Sequence, residues 1–137
     1  MLDENKVTLA EYRIGRAEEC LSSSEALIEI KDYSASLNRS YYSIFNAVRA
    51  IFALEGVDRK KHSGVIAYFQ QNYVKTGIFD KKYSTIVQEA FEVRQESDYE
   101  DFFIISIDDV VTQLDNAKDF VSVIKKYVEE TIESFRD

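Results

Sequence analysis

The 137-residue chain has no proline, no tryptophan, four glycines, one cysteine and one histidine. With no proline, nothing forces a break in a helix. The few glycines form neither a Gly-rich phosphate loop nor a nucleophile elbow, and the single histidine, His62, excludes a His-Glu-x-x-His metal helix. Cys20 alone can form no internal disulfide and has no partner at metal-ligand spacing, which fits a reducing compartment and predicts neither a metal site nor a cofactor. No stretch approaches the ~20 uninterrupted apolar residues of a membrane span. The opening Met1-Leu2-Asp3-Glu4-Asn5-Lys6 also lacks the apolar centre of a secretory leader. A cytoplasmic protein without membrane association is expected. Positive charge is in deficit, with 17 Lys and Arg against 25 Asp and Glu and a net charge of -8. The mean field repels phosphate backbones, so DNA is not an expected partner and an RNA or nucleotide ligand needs a local basic site.

What is present is 45% hydrophobic and 31% charged, the balance of one regularly structured domain over residues 1–137. Thr8 and Glu11 have capping-box spacing, and Leu9, Tyr12, Ala17, Cys20, Leu21, Ser24, Leu27 and Ile28 recur at helical intervals, predicting a first helix over roughly 9–30. Asp32 is placed to cap a second, strongly apolar helix through Leu37, Tyr41, Ile44, Phe45, Val48, Ile51 and Phe52, ended by Gly56. A short helix follows through Val65, Ile66, Tyr68, Phe69 and Tyr73, stopped at Gly77. Asp80 then caps a fourth helix to about Ser97, with Tyr83, Ile86, Val87, Ala90, Phe91 and Val93 as its buried stripe. Phe102-Phe103-Ile104-Ile105 reads as an extended strap. Ser106 with Asp109 opens a long last helix that buries Val110, Leu114, Ala117, Val121, Ile124, Val128 and Phe135. The fold class is all-α, an up-and-down antiparallel bundle of about five helices.

Four places could carry chemistry. Asn38, Arg39 and Tyr42 are polar groups on an otherwise apolar helix; they either form a site or snorkel and pair at the surface. Lys60-Lys61-His62-Ser63-Gly64 is a basic turn entering a helix, either a phosphate-receiving N-terminus or a solvated loop. Arg94 and Asp98 stand at i,i+4 beside Tyr99, as part of a site or as an ordinary ion pair. Glu129, Glu130, Glu133 and Asp137 read as a solvated face. An arginine, tyrosine, carboxylate and imidazole set of this kind suits anion binding and proton transfer.

The ordered set Asn38-Arg39-Ser40-Tyr41-Tyr42-Ser43-Ile44-Phe45, Lys60-Lys61-His62-Ser63-Gly64-Val65, Tyr73-Val74-Lys75-Thr76-Gly77 and Phe91-Glu92-Val93-Arg94-Gln95-Glu96-Ser97-Asp98-Tyr99 resembles the HEPN domain family over about residues 8–130. Within it, the chain resembles the stand-alone branch often encoded beside a minimal nucleotidyltransferase. The resemblance implies a helical bundle that dimerises, and a role in toxin–antitoxin or defence modules. That role is either a metal-independent RNase or the partner of the nucleotidyltransferase. In the RNase members an arginine is followed, after four to six residues, by a histidine, and two copies converge on a composite site. Arg94 matches the arginine, but Tyr99, Glu100 and Asp101 stand where the histidine would fall. His62 is then the imidazole that could join Arg94 in catalysis, with Arg39, Tyr42, Asp98 and Tyr99 binding RNA or nucleotide. A purely structural dimeric bundle is the remaining alternative. In some relatives the nucleotidyltransferase adds AMP to a tyrosine near the histidine motif, and Tyr99 is the nearest tyrosine here.

Overall fold

The computed structural model describes residues 1–99 and 103–137. Four long helices, α1 (Glu4–Glu29), α2 (Tyr33–Glu55), α4 (Lys81–Tyr99) and α5 (Ile107–Arg136), run alternately up and down, with the short α3 (His62–Phe69) in the connection from α2 to α4. The directions follow from paired residues. Ser24 of α1 meets Ser36 and Ser40 of α2, Ser34 of α2 meets Ser97 of α4, and Tyr83 and Lys82 of α4 meet Asp119 of α5. Glu4 and Glu18 of α1 pair with Arg136 and Lys125 of α5, which closes the bundle.

Several boundaries are written in local chemistry. Asp32 accepts from the Ala35 N–H and caps α2, while Gly56 ends it in the left-handed region at φ +73. Glycine is favoured there by the positive φ, and the end of the Lys6 side chain, 3.1 Å from where a Cβ would stand, packs across the turn. Ser106 accepts from the Asp109 N–H and caps α5, and Asp80 accepts from the Lys82 N–H before α4.

α1 departs from its expected start. Asp3, not Thr8, is the cap, accepting from the Lys6 N–H, and the Thr8 hydroxyl donates to the Glu4 carbonyl inside the helix. Its buried line is Val7, Ala10, Ile14, Ala17, Cys20 and Ser24, whereas Leu9 and Tyr12 are exposed. Small residues win because α1 and α2 approach closely along a seam in which the Ser24 hydroxyl meets Ser40 Oγ at 2.7 Å and Ser36 Oγ at 2.8 Å. A leucine or tyrosine would hold the helices apart.

α2 is the centre, with 14 of its 23 residues buried. The short helix ends in a π-helical turn, Gln70–Val74, closed by the Lys75 N–H on the Gln70 carbonyl. Phe69, Tyr73 and Phe79 stack beneath it. α4 extends to Tyr99, two residues past the expected end. In α5 the buried role expected of Phe135 falls to Ile132, and Phe135 faces solvent. Of the expected strap, Phe102 lies outside the described residues. Phe103 and Ile105 are half-buried beside Leu37 and Val93, while Ile104 points outward. No described helix is long and apolar enough to cross a membrane.

Candidate functional site

α2 carries Tyr41 and Tyr42 on adjacent faces, and Arg39, His62 and Arg94 gather around this pair, with Asp98 and Tyr99 beside Arg94. Arg94, on the last turns of α4, lies with its guanidinium carbon 5.5 Å from each of the two ring centroids and 5.8 Å from that of Tyr99. Its Nη2 donates to the Tyr42 hydroxyl at 3.5 Å. Asp98, one turn on, stands 3.0 Å from Arg94 Nε. The Nε–H points past that carboxylate and makes no hydrogen bond, so the pair is a charge contact that leaves donor capacity unspent. The Arg94 side chain is 14% exposed and that of Asp98 24%, which makes this a half-covered pair.

Arg39 reaches the same tyrosine from its own helix, with its guanidinium 5.2 Å from the Tyr42 centroid. Asn38 Oδ1 accepts from Arg39 Nε at 3.2 Å and from Nη2 at 2.7 Å, holding the fork in place. A neutral amide orients this cation without neutralising it. Two guanidiniums thus share one phenol ring, an arrangement suited to a phosphate that can take hydrogen bonds from both.

His62 opens α3 and is half-buried. Its ring stacks on Phe45 at 4.4 Å and on Tyr41 at 5.7 Å, and the edge of Tyr42 meets it at 5.9 Å. The Tyr41 hydroxyl lies 2.7 Å from His62 Nδ1. Burial pushes the Tyr41 phenol far above its ordinary range, and the neighbouring Tyr42 adds to this against the opposing effect of Arg94. Burial likewise lowers the His62 pKa, with Arg94 and then Arg49 adding to the effect. A neutral imidazole therefore faces a protonated phenol. A phenol can donate to Nδ1 or accept from it, so Nε2, on the other side of the ring, can serve as donor or as base.

His62, Ser63, Phe91, Arg94, Gln95 and Tyr99 line an open groove of about 550 Å³. A second groove of about 460 Å³ lies elsewhere, between α1 and the end of α5. Its cations Lys125 and Arg136 are already committed to Glu18 and Glu4, and of the residues singled out in the sequence for chemistry only the acidic Glu129, Glu133 and Asp137 line it. All six nominated residues, Arg39, Tyr42, His62, Arg94, Asp98 and Tyr99, belong to the first site. Glu100 and Asp101, where the family histidine would fall, lie outside the described residues. The acidic residues Glu129, Glu130, Glu133 and Asp137 are exposed at the far end of α5.

The sequence reading missed the second role of Tyr41. It is a core residue, 1% exposed, yet its hydroxyl holds the only histidine of the chain. A phenol among the aliphatic positions of α2 was the available signal, because a buried hydroxyl needs a partner. Phe45, expected only to pack, is the shelf on which the imidazole rests.

The family model of the HEPN domain matches residues 10–130. The chain is similar to a UPF0332 protein of Thermotoga maritima, 32% identical over 125 residues that make up 91% of this chain and 95% of that protein. It is also similar to two proteins of Methanocaldococcus jannaschii named as putative toxins. One is 32% identical over 118 residues, 86% of this chain and 80% of its own. The other is 35% identical over 83 residues, 61% and 62% of the two chains.

Proposed function

The chain belongs to the HEPN domain family, and from that premise we propose that it is the toxin-like member of a toxin–antitoxin pair, binding RNA through a phosphate in the groove of Arg94 and His62. The observation that carries this reading is the meeting of Arg94 and His62, from distant parts of the chain, over the same two tyrosines. Two relatives are named as putative toxins, which supports the toxin side of the reading. Arg94 and Arg39 supply the charge for a phosphodiester, Tyr42 and Tyr99 supply hydroxyls and ring faces, and Asp98 keeps Arg94 aligned until the anion displaces it.

Cleavage of the bound RNA is the second reading, favoured by the hydrogen bond between Tyr41 and His62. Attack of a ribose 2′-hydroxyl on the neighbouring phosphate needs a base for that proton, an acid for the departing 5′-oxygen and cations for the charge that builds up between them. One His62 serves as acid or base. A homodimer with two facing grooves supplies both, so the active species in this reading is a dimer. The antitoxin in this proposal is a minimal nucleotidyltransferase encoded alongside, and the two proteins are expected to co-purify.

The test is incubation of a mixed RNA with the purified protein in EDTA, with binding followed in parallel. Wild type is expected to bind RNA, and Arg94→Ala to lose binding. If binding is followed by cleavage, His62→Ala abolishes the cleavage and leaves most of the affinity. A wild-type protein that is folded yet binds no RNA refutes the proposal.

A further inference from the structure

Through Tyr41 and Tyr42 the groove adjoins a longer feature of α2. From Tyr33 to Leu54 this helix contains no Asp or Glu, in a chain that carries 25 of them, and its only charges over that run are Arg39 and Arg49. Between Asn38 and Leu54 every residue is buried except Asn38, Arg39, Tyr42, Asn46 and Arg49. The last four are spaced by three, four and three, so they form a single stripe along one side of the helix. From Arg39 to Arg49 the stripe rises about 15 Å, room for more than one nucleotide.

The stripe is continuous with the site. Phe45, on which His62 stacks, also lies under Arg49, whose guanidinium carbon is 6.0 Å from the ring centroid. Arg49 is in turn joined by Arg13 of α1, whose Nη1 donates to the Arg49 carbonyl at 2.8 Å. The nearest counter-charge to Arg49 is Asp58, 3.8 Å away with a side chain that is 70% exposed, a loose pair of small net worth. Among the described residues, neither Arg13 nor Arg39 stands within ion-pair distance of a carboxylate. In a strongly acidic protein, cations are thus collected on one line, flanked by aromatic rings, and left short of acids. Guanidiniums along a path with ring faces between them are how proteins hold a single strand, by phosphate neutralisation and by stacking.

We infer that the stripe Arg39–Tyr42–Asn46–Arg49, backed by Arg13, extends the Arg94–His62 groove into a track for single-stranded RNA, with Arg49 and Arg13 taking a second phosphate. This rests on the RNA-binding reading and adds where the strand runs beyond the groove. Arg49 and Arg13 contact this flanking phosphate only. They are positioned to set affinity and the length of strand recognised.

The test measures fluorescence anisotropy of a labelled oligouridylate, and of a labelled trinucleotide, against wild type, Arg49→Gln, Arg49→Lys and Arg94→Ala over a salt series. Circular dichroism and sedimentation accompany each variant. Arg49→Gln is expected to weaken binding of the longer strand about fivefold at 0.1 M salt and to lower the slope of log K against log salt by about 0.7, the counter-ion release of one single-strand phosphate. Arg49→Lys keeps the slope. The trinucleotide, held at the groove, loses less in Arg49→Gln than the longer strand does. If Arg94→Ala abolishes binding while Arg49→Gln matches wild type in affinity and slope, the track is refuted and the groove stands. If wild type binds neither strand, both fall. If Arg49→Gln alters the sedimentation of the free protein and the RNA affinity follows that change alone, the stripe is a contact between two copies and the track is refuted.

Discussion

Replacing Arg94 with alanine distinguishes a guanidinium kept for a ligand from one kept for the fold, because the two roles differ in magnitude and, with a companion variant, in sign. In the folded protein Arg94 pairs with Asp98 at i,i+4 and rests among Tyr41, Tyr42 and Tyr99. An exposed helical pair contributes ~0.3–0.5 kcal/mol and a cation over a partly exposed ring ~0.5–1 kcal/mol. These contributions overlap, and the pair is half-covered, so the loss of stability comes to about 1–2 kcal/mol. For a chain of this size that lowers Tm by roughly 3–10 °C. Truncating one member of a desolvated charge pair with a phosphate costs ~2–5 kcal/mol of binding, about thirtyfold or more in Kd. Asp98→Asn separates the roles by sign. It removes the anion that competes with phosphate for Arg94, so it destabilises modestly yet raises RNA affinity at low salt. Thermal melts and anisotropy titrations on the same preparations read both quantities. Arg94→Ala melting lower but binding RNA as wild type, or Asp98→Asn weakening binding as much as Arg94→Ala, would refute the reasoning and reduce the pair to a structural strut.

Two further predictions concern the His62 ring and the α1–α2 seam. His62 is the only histidine, so its ring gives a single NMR titration, which should fall below the ordinary 6.5 because of burial, Arg94 and Arg49. The unfolded chain then takes up its proton at a higher pH than the folded one. The stability from neutral His62 is therefore complete above 6.5 and declines as pH falls below it. A bound phosphate reverses the field at the ring, so RNA affinity should rise on acidification, and a titration above the ordinary value in the free protein would contradict the site's electrostatics. At the α1–α2 seam, Ser24 is fully buried with three oxygens of Ser36 and Ser40 within 3.0 Å. Ser24→Val should cost ~1–3 kcal/mol for the Ser40 hydroxyl left without a partner, the Ser36 hydroxyl still donating to the Ser24 carbonyl, and more if the added methyl groups force the helices apart. A melt indistinguishable from wild type would show that the seam is looser than its distances imply.

The sequence by itself determined what depends on neighbours in the chain. Helix identity follows from periodicity, and α2, α4 and α5 begin beside Asp32, Asp80 and Ser106 because a cap is a contact over two or three residues. Arg94 and Asp98 were legible as a pair for the same reason, since i and i+4 meet on any helix. The resemblance carried by Arg39, Tyr42, His62 and Arg94 named these residues one by one, without their mutual arrangement. The register of α1 was not legible, because the largest apolar residues, Leu9 and Tyr12, mark a plausible face, while the buried face is set by the small residues that a close partner helix demands. Only the tertiary structure decided that His62 meets Arg94 over Tyr41 and Tyr42, that a core tyrosine holds the imidazole, and that the acid-free side of α2 continues through Arg49 to Arg13. These relations join residues from different helices, and their distances are set by how α1, α3 and α4 pack on α2, which no spacing along the chain encodes.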